Sequence, residues 1–172
     1  VYMRTLFRES AAGVMHSLIY FPFLILLAVT TVLEVNPQLP EGAKFLHGDT
    51  YRAYTAVGDV AGVLFLVGVV WALARRYGPR RFRPYRVRTK SKPEHALILV
   101  VFLAIGLTGF GAEAFRIALI DSSSRTAETW SIVGYPLAKL IDNIEPLSIR
   151  SSGWHQGWWV AHVVSFMAFV VL

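Results

Sequence analysis

The sequence predicts an all-α protein, a bundle of helices embedded in a membrane. Hydrophobic residues make up 55% of the 172 residues, and the mean hydropathy is +0.49. The apolar residues also stand in long runs that contain almost no charge. A soluble domain of this length has fewer apolar residues and mixes them with charged ones. We therefore expect a single membrane domain over residues 1–172.

Four apolar runs approach or exceed the roughly 20 residues that a helix needs to cross a bilayer. They occupy residues 11–33, 54–74, 95–120 and 154–172. The first run has no charged residue, and the second has only Asp59. Gly58 and Gly62 in the second run are four apart, a spacing that lets two membrane helices approach closely. Each run is predicted to be a transmembrane helix.

The two ends of the sequence lie inside longer patterns. The chain begins at Val1 rather than at a methionine, and the fourth run is still apolar at Leu172. We expect the chain to be truncated at both ends. It has no cysteine, so any cysteine-ligated iron–sulfur cluster would have to belong to a partner.

The loop between the second and third runs sets the orientation. Residues 75–92 contain nine arginines and lysines and no acidic residue. The positive-inside rule places such a loop in the cytoplasm, and the loops 34–52 and 121–153 then fall outside. The expected location is the cytoplasmic membrane of a prokaryote. Because the cations gather in one loop that contacts lipid headgroups, or docks an acidic partner, nucleic acid is not an expected partner.

The outer loop contains a second kind of helix pattern. Its large apolar residues recur at helical spacing: Trp130, Val133, Leu137, Leu140, Ile141 and Ile144. The pattern predicts an amphipathic helix on the outer face, interrupted at Pro136. This helix acts either as a lid over the bundle or as a functional gate.

Two of the five histidines, His16 and His162, lie inside apolar runs. A buried imidazole needs partners, either haem iron or hydrogen-bonding groups that serve structure or proton relay. His155 is seven residues before His162 on the same helix face, so these two cannot clamp one haem from opposite sides. His95 and His47 lie near loops and are secondary candidates.

The two buried histidines are predicted to belong to different sites. His16 lies about a turn from the cytoplasmic end of its span, and His162 lies about two turns from the outer end of its span. One haem cannot bridge that difference in height. The partner of His16 is therefore expected beyond Leu172.

Charged residues near the outer ends of the spans form a further candidate site. Glu113 and Arg116 are three apart on one helix face, so they are expected to pair with each other. Arg116 then holds a haem propionate, or both residues line a quinone pocket with proton exchange. The alternative is an interfacial ion pair without a further role. Asp59 is a similar candidate for a proton path.

Five short strings in order along the chain resemble one protein family. They are GVMH at 13–16, GDVAG at 58–62, WALARR at 71–76, LTGFGAEAFR at 107–116 and WWVAH at 158–162. Together they resemble the cytochrome b family of the respiratory nitrate reductase gamma subunit, in the branch associated with heterodisulfide-reductase-like iron–sulfur oxidoreductases. The resemblance extends over essentially the whole sequence.

The resemblance implies a five-helix membrane subunit that binds haem b, exchanges electrons with quinone and serves a cytoplasmic iron–sulfur partner. The four spans present would be the second to the fifth helices. His16 matches the cytoplasmic-side haem ligand of the second helix, and His162 matches the outer-side ligand of the fifth. Where the family has a further ligand this sequence has Leu26, so one haem and two haems both fit.

The sequence therefore predicts a membrane cytochrome b subunit that relays electrons between the quinone pool and a cytoplasmic iron–sulfur oxidoreductase. One alternative is a membrane anchor without a cofactor, whose basic loop docks a soluble redox enzyme. Another is a small transporter that uses Asp59, Glu113 and Arg116 as an intramembrane charge path.

Overall fold

The computed structural model describes residues 10–79, 93–120, 125–144 and 152–172. Within these ranges, all regular structure is helical, as predicted. Five α-helices follow one another: α1 (Ser10–Val35), α2 (Gly48–Tyr77), α3 (Pro93–Leu119), α4 (Gly134–Ile144) and α5 (Ser152–Val171). Short 3₁₀ turns occupy Asn36–Gln38, Glu41–Ala43 and Arg125–Trp130.

Three of the described helical segments are long and apolar enough to cross a membrane. They are Ser10–Gln38, Gly48–Tyr77 and Pro93–Leu119. By helix length and hydropathy the chain is a multi-pass membrane protein. Helix α5 has 20 residues and packs along α3, and its assignment as a fourth span remains a prediction.

The helices extend beyond the apolar runs that predicted them. Helix α2 begins at Gly48, six residues before the predicted start at 54. Its first turn is polar, and Arg52 donates to Asp49 there over 3.0 Å. At its other end, Arg75 and Arg76 form the last turn, whereas the remaining cations of the basic loop lie outside the described residues.

Glycines allow α2 to lie close to its neighbours. A Cβ at Gly68 would stand 2.9 Å from the Leu18 backbone of α1, and one at Gly62 would stand 2.6 Å from the Phe110 ring of α3. Side chains at these two positions would push the helices apart. Helix α2 is therefore packed closely against both α1 and α3.

Four phenylalanine rings fill the centre of the bundle. Phe23, Phe65, Phe102 and Phe169 come one each from α1, α2, α3 and α5. Their neighbouring ring centroids are 5.0–5.9 Å apart, within the range of favourable aromatic contacts. We call these four residues the phenylalanine cluster. It joins α5 to the other three long helices.

Residues 134–144, in the loop predicted to face outside, form a helix that covers the C-terminal end of α3. We call this end of the bundle the outer end, after the predicted orientation. Helix α4 is continuous, so the predicted interruption at Pro136 is wrong. Pro136 is the third residue of the helix, where no backbone N–H is needed for the helical ladder. Ala138 is fully buried, while Leu140 is 56% exposed. Trp130 belongs to the preceding 3₁₀ turn rather than to the helix.

Arg125 fastens this outer segment to α3. Its guanidinium donates to the carbonyl oxygens of Ala118, in the last turn of α3, and of Ile120, just after it. It also pairs with Asp142 of α4. A cation at these carbonyls also complements the negative end of the helix dipole. Residues 125–144 therefore lie over the outer end of the bundle, as expected for a lid.

Candidate functional site

Buried polar side chains gather under the outer segment, where α2 and α3 meet the Arg125–Trp130 turn. Asp59 of α2 is 2% exposed, Glu128 is 4% exposed and Ser131 is 1% exposed. Glu113 and Arg116 of α3 complete the group and are half-buried. Buried acidic residues in a membrane bundle require strong partners, so their hydrogen bonds define what this site can do.

The hydroxyl of Ser131 bridges two carboxyl groups. Its Oγ lies 3.0 Å from Asp59 Oδ2 and 3.1 Å from Glu113 Oε1. The Val133 N–H donates to Asp59 Oδ2 over 2.7 Å, and the Tyr135 N–H donates to Ser131 Oγ over 3.2 Å. We call Asp59 and Glu113, joined through Ser131, the carboxyl pair. It ties the start of α4 to both α2 and α3.

Gly134 provides the room for this bridge. A Cβ at this position would stand 2.6 Å from Ser131 Oγ and 2.7 Å from Glu113 Cδ. Any larger residue would displace one of these two side chains. The contact between Ser131 and Glu113 therefore favours glycine as the first residue of α4.

Arg116 forms an ion pair with Glu128 rather than with Glu113. Its two terminal nitrogens donate to the two carboxylate oxygens of Glu128 over 3.0 and 3.2 Å. The Tyr51 hydroxyl donates to the same carboxylate over 2.8 Å. The predicted pairing of Glu113 with Arg116 is wrong, because the fork of the guanidinium matches a carboxylate that the outer turn brings to it.

The carboxyl pair has no cation of its own among the described residues. The charge of Arg116 is matched by Glu128, and the partners of Asp59 and Glu113 are a hydroxyl and backbone N–H groups. Asp59 Oδ1 is buried without a hydrogen-bond partner. The site therefore consists of an ion pair beside two acids whose hydrogen-bond partners are neutral.

His155 and His162 both bond to α3 through the same ring nitrogen. His162 Nδ1 lies 3.0 Å from the Ile105 carbonyl, and His155 Nδ1 lies 3.2 Å from the Ala112 carbonyl. Because a carbonyl only accepts, Nδ1 is the donor, and in a neutral ring Nε2 then carries the free lone pair. This is the arrangement that metal-ligating histidines use, so the tautomer of His162 fits an axial haem ligand.

A second haem ligand at the depth of His162 is not found in the described part of the chain. His16 is exposed, and its neighbour Met15 packs with Leu99, six residues before Ile105 on α3. That separation is about 9 Å along the helix. The structure therefore places His16 and His162 at different heights along the bundle.

The other two histidines lie away from the carboxyl pair. His47 is the exposed N-cap residue of α2, and His95 is half-buried in the first turn of α3. The described residues contain no group of three or more histidines, cysteines or carboxylates that could hold a metal ion.

Sequence reasoning missed the three residues that organise the site. Tyr51 precedes the predicted span, and Glu128 and Ser131 lie in a loop whose 3₁₀ turn has no strong sequence signature. The available signal was an acid just before the amphipathic pattern and a serine within it, but spacing alone does not say which helix they contact.

One characterised protein is similar to this chain over almost the full length of the chain. The EtfAB:quinone oxidoreductase of Syntrophomonas wolfei subsp. wolfei (strain DSM 2245B / Goettingen) is 27% identical over 171 residues. The aligned region covers 96% of this chain and 23% of that protein, so the chain spans about a quarter of the relative's length. No protein-family model matches the chain, and no solved structure matches it.

Proposed function

We propose that this chain is the membrane part of an oxidoreductase complex that relays electrons between quinone and a partner on the cytoplasmic side. The observation that carries the proposal is the similarity to a quinone oxidoreductase over 96% of the chain. The multi-pass helices supply the low-dielectric environment that quinone requires. The basic loop over residues 75–92 orients the partner to the cytoplasmic face of a prokaryotic inner membrane.

The quinone site is proposed at the outer end of the bundle, beside the carboxyl pair. Reduction of a quinone adds two electrons and two protons, and oxidation of the quinol releases them. A quinone site therefore needs groups that exchange protons as well as a path for electrons. Glu113 is the half-buried member of the carboxyl pair and is the residue proposed to face quinone. Arg116 lies one helical turn from Glu113 on α3 and contributes a positive charge to the same site.

Haem b is the finer part of this proposal. His162 would hold haem through Nε2 while its Nδ1 stays bonded to the Ile105 carbonyl. Bound haem would supply one-electron transfer between the quinone site and the partner. His16 is proposed to serve a separate haem near the cytoplasmic side with a ligand from outside the described residues, and His155 is a secondary candidate near the outer side. The count is one haem or two.

The partner is proposed to be an iron–sulfur or flavin oxidoreductase. This chain has no cysteine, so any cysteine-ligated cluster in the complex would be held by the partner. The name of the relative points to EtfAB as the electron donor or acceptor of that protein. A membrane anchor without a cofactor remains the second candidate, and the exposed position of His16 favours it.

The test uses the full-length natural protein, purified in detergent and returned to liposomes with quinone. We expect quinone-dependent oxidation of the reduced partner, together with a haem b signal in the reduced-minus-oxidised spectrum. The variant His162→Ala should lose the whole signal if there is one haem, and the part due to the outer haem if there are two, whereas the matched control His47→Ala, at an exposed position, should retain all of it. Absence of haem from the wild type with retained partner binding would support the anchor instead.

A further inference from the structure

We propose that the carboxyl pair, Asp59 and Glu113 bridged by Ser131, holds one proton at neutral pH and is the proton-exchange site of the outer end. That the pair holds a proton follows from the hydrogen bonds and charges of the described residues. Its use in quinone chemistry rests on the function proposed above. The two parts are tested by different measurements.

The first argument counts protons along the bridge. A serine hydroxyl has one proton to donate, and Ser131 Oγ lies at hydrogen-bond distance from both Asp59 Oδ2 and Glu113 Oε1. Two ionised carboxylates are acceptors only. If both groups were ionised, the Ser131 hydroxyl could donate to only one of them. At the other contact, two oxygen lone pairs would face each other. A proton on one carboxyl group turns that contact into a second hydrogen bond and completes the chain.

The second argument counts charges around the bridge. The titratable groups that face it are Tyr51 and Asp59 from α2, Glu113 and Arg116 from α3, and Glu128 from the outer turn. Ionised Glu128 balances Arg116. Two further ionised carboxylates would leave two uncompensated negative charges in a buried site, which is strongly unfavourable. A shared proton reduces this to one charge, distributed over the bridge.

The third argument concerns access to the pair. Asp59 is 2% exposed, and its Oδ1 has no hydrogen-bond partner, so this oxygen is a free acceptor inside the protein. Glu113 is half-buried and provides the open side of the pair. A proton can therefore move between an inner acceptor and an outer carboxyl group through the Ser131 hydroxyl. That arrangement suits a relay more than a static structural bond.

In the proposed reaction the pair delivers protons and the partner delivers electrons. Two electrons from the reduced flavin or iron–sulfur carrier of the partner and two protons convert the two quinone carbonyls to hydroxyls. The pair gives one proton for each O–H bond formed and is reloaded from the outer aqueous phase between the two transfers. In quinol oxidation the same bonds break, and the pair accepts the protons in turn.

The protonation is tested by infrared spectroscopy of the full-length protein in liposomes. We expect a carboxylic-acid C=O band at neutral pH that shifts in D₂O and disappears in both Asp59→Asn and Glu113→Gln. The matched control is Glu41→Gln, which alters an exposed carboxylate that pairs with Lys44, outside the carboxyl pair, and should retain the band. A wild-type spectrum without any band that depends on Asp59 or Glu113 would overturn the proposal.

Ser131→Ala keeps the test decisive if either acidic variant fails to fold. This change removes the bridging hydroxyl and leaves both carboxyl groups in place. The C=O band should shift in frequency, because the hydrogen bond to the hydroxyl is lost. An unchanged band in a folded Ser131→Ala protein would contradict the bridge.

The proton-exchange role is tested by quinone turnover over a range of pH. Glu113→Gln should slow turnover by about 100-fold, the usual contribution of a positioned acid–base group. In this variant, the pH dependence of turnover that comes from titration of the carboxyl pair should also disappear. Unchanged turnover in a variant that has lost the infrared band would overturn the exchange role but not the protonation. Absence of quinone turnover in the wild type would refute the proposed function. The infrared band would still support the shared proton in that case.

Discussion

The outer end and the centre of this bundle hold helices together by opposite means. At the outer end, an ion pair and a bridged carboxyl pair join α2 and α3 to the Arg125–Trp130 turn. In the centre, the phenylalanine cluster joins four helices without a polar atom. Within a membrane, apolar packing is sufficient for association, whereas buried charge is retained mainly where it serves a function. From this contrast we propose that the centre serves structure and that the outer end is where the chemistry takes place.

The largest effect on stability is expected when the outer ion pair is broken. Arg116→Ala leaves Glu128, 4% exposed, with the Tyr51 hydroxyl as its remaining side-chain donor among the described residues. Without the cation the buried Glu128 carboxylate has no charge partner, which costs about 4 kcal/mol. Lys44→Ala, which removes a pair to the exposed Glu41, should cost about 0.5 kcal/mol. Unfolding in a denaturing detergent would measure the stability of both variants. Similar losses of stability would show that Glu128 is not buried in the folded protein.

A somewhat smaller loss is expected from the centre. Phe65 is fully buried and contacts two other rings of the phenylalanine cluster. Phe65→Ala leaves a cavity and should cost about 3 kcal/mol. Phe21→Ala, at a position that is 53% exposed, should change stability by much less. The same unfolding measurement compares the two variants, and equal effects would contradict the placement of Phe65 at the centre.

Gly134→Ala should act on the site more than on the fold. The new Cβ displaces the ends of Ser131 and Glu113, which can move at little steric cost but then lose the bridge. The loss of one such hydrogen bond is about 1 kcal/mol. Gly157→Ala has open space around it and should be neutral or slightly stabilising. Retention of the wild-type infrared band in Gly134→Ala would show that the bridge tolerates the methyl group.

The smallest effect is expected at the contact between α5 and α1. The Trp159 indole N–H donates to Glu34 over 3.2 Å, and both side chains are exposed. Trp159→Phe keeps the ring and removes the donor, so stability should fall by about 0.5 kcal/mol. Trp154→Phe retains the stacking on Phe115 and is the matched control. A loss well above that of the control would indicate that this bond is shielded from water.

The helices were predictable from the sequence because each has a long apolar run with few charges. The polar ends of the helices were not predictable. In the first turn of α2, the helical backbone continues through polar residues such as Asp49, which lie outside the apolar run. Pro136 was misinterpreted for a related reason. A proline interrupts a helix only after the first turn, and the sequence did not show that α4 begins at Gly134.

The members of the candidate site that lie in the apolar runs were predictable, whereas its other members and its pairing were not. Asp59, Glu113 and Arg116 were identified because ionisable residues in apolar helices are rare. Their partners come from the outer turn, which is distant in sequence from Asp59 and has no helical spacing to place it. Arg116 therefore pairs with Glu128, and Ser131 joins the two acids, in a way that spacing within α3 could not reveal.

The contrast between the two regions is tested most directly by quinone turnover in two variants of the full-length protein in liposomes. Glu113→Gln changes the outer end, and Phe102→Leu changes the phenylalanine cluster while keeping it apolar. We expect turnover to fall by about 100-fold in Glu113→Gln and by less than threefold in Phe102→Leu. Normal turnover in Glu113→Gln, with a large loss in Phe102→Leu, would contradict the assignment of chemistry to the outer end.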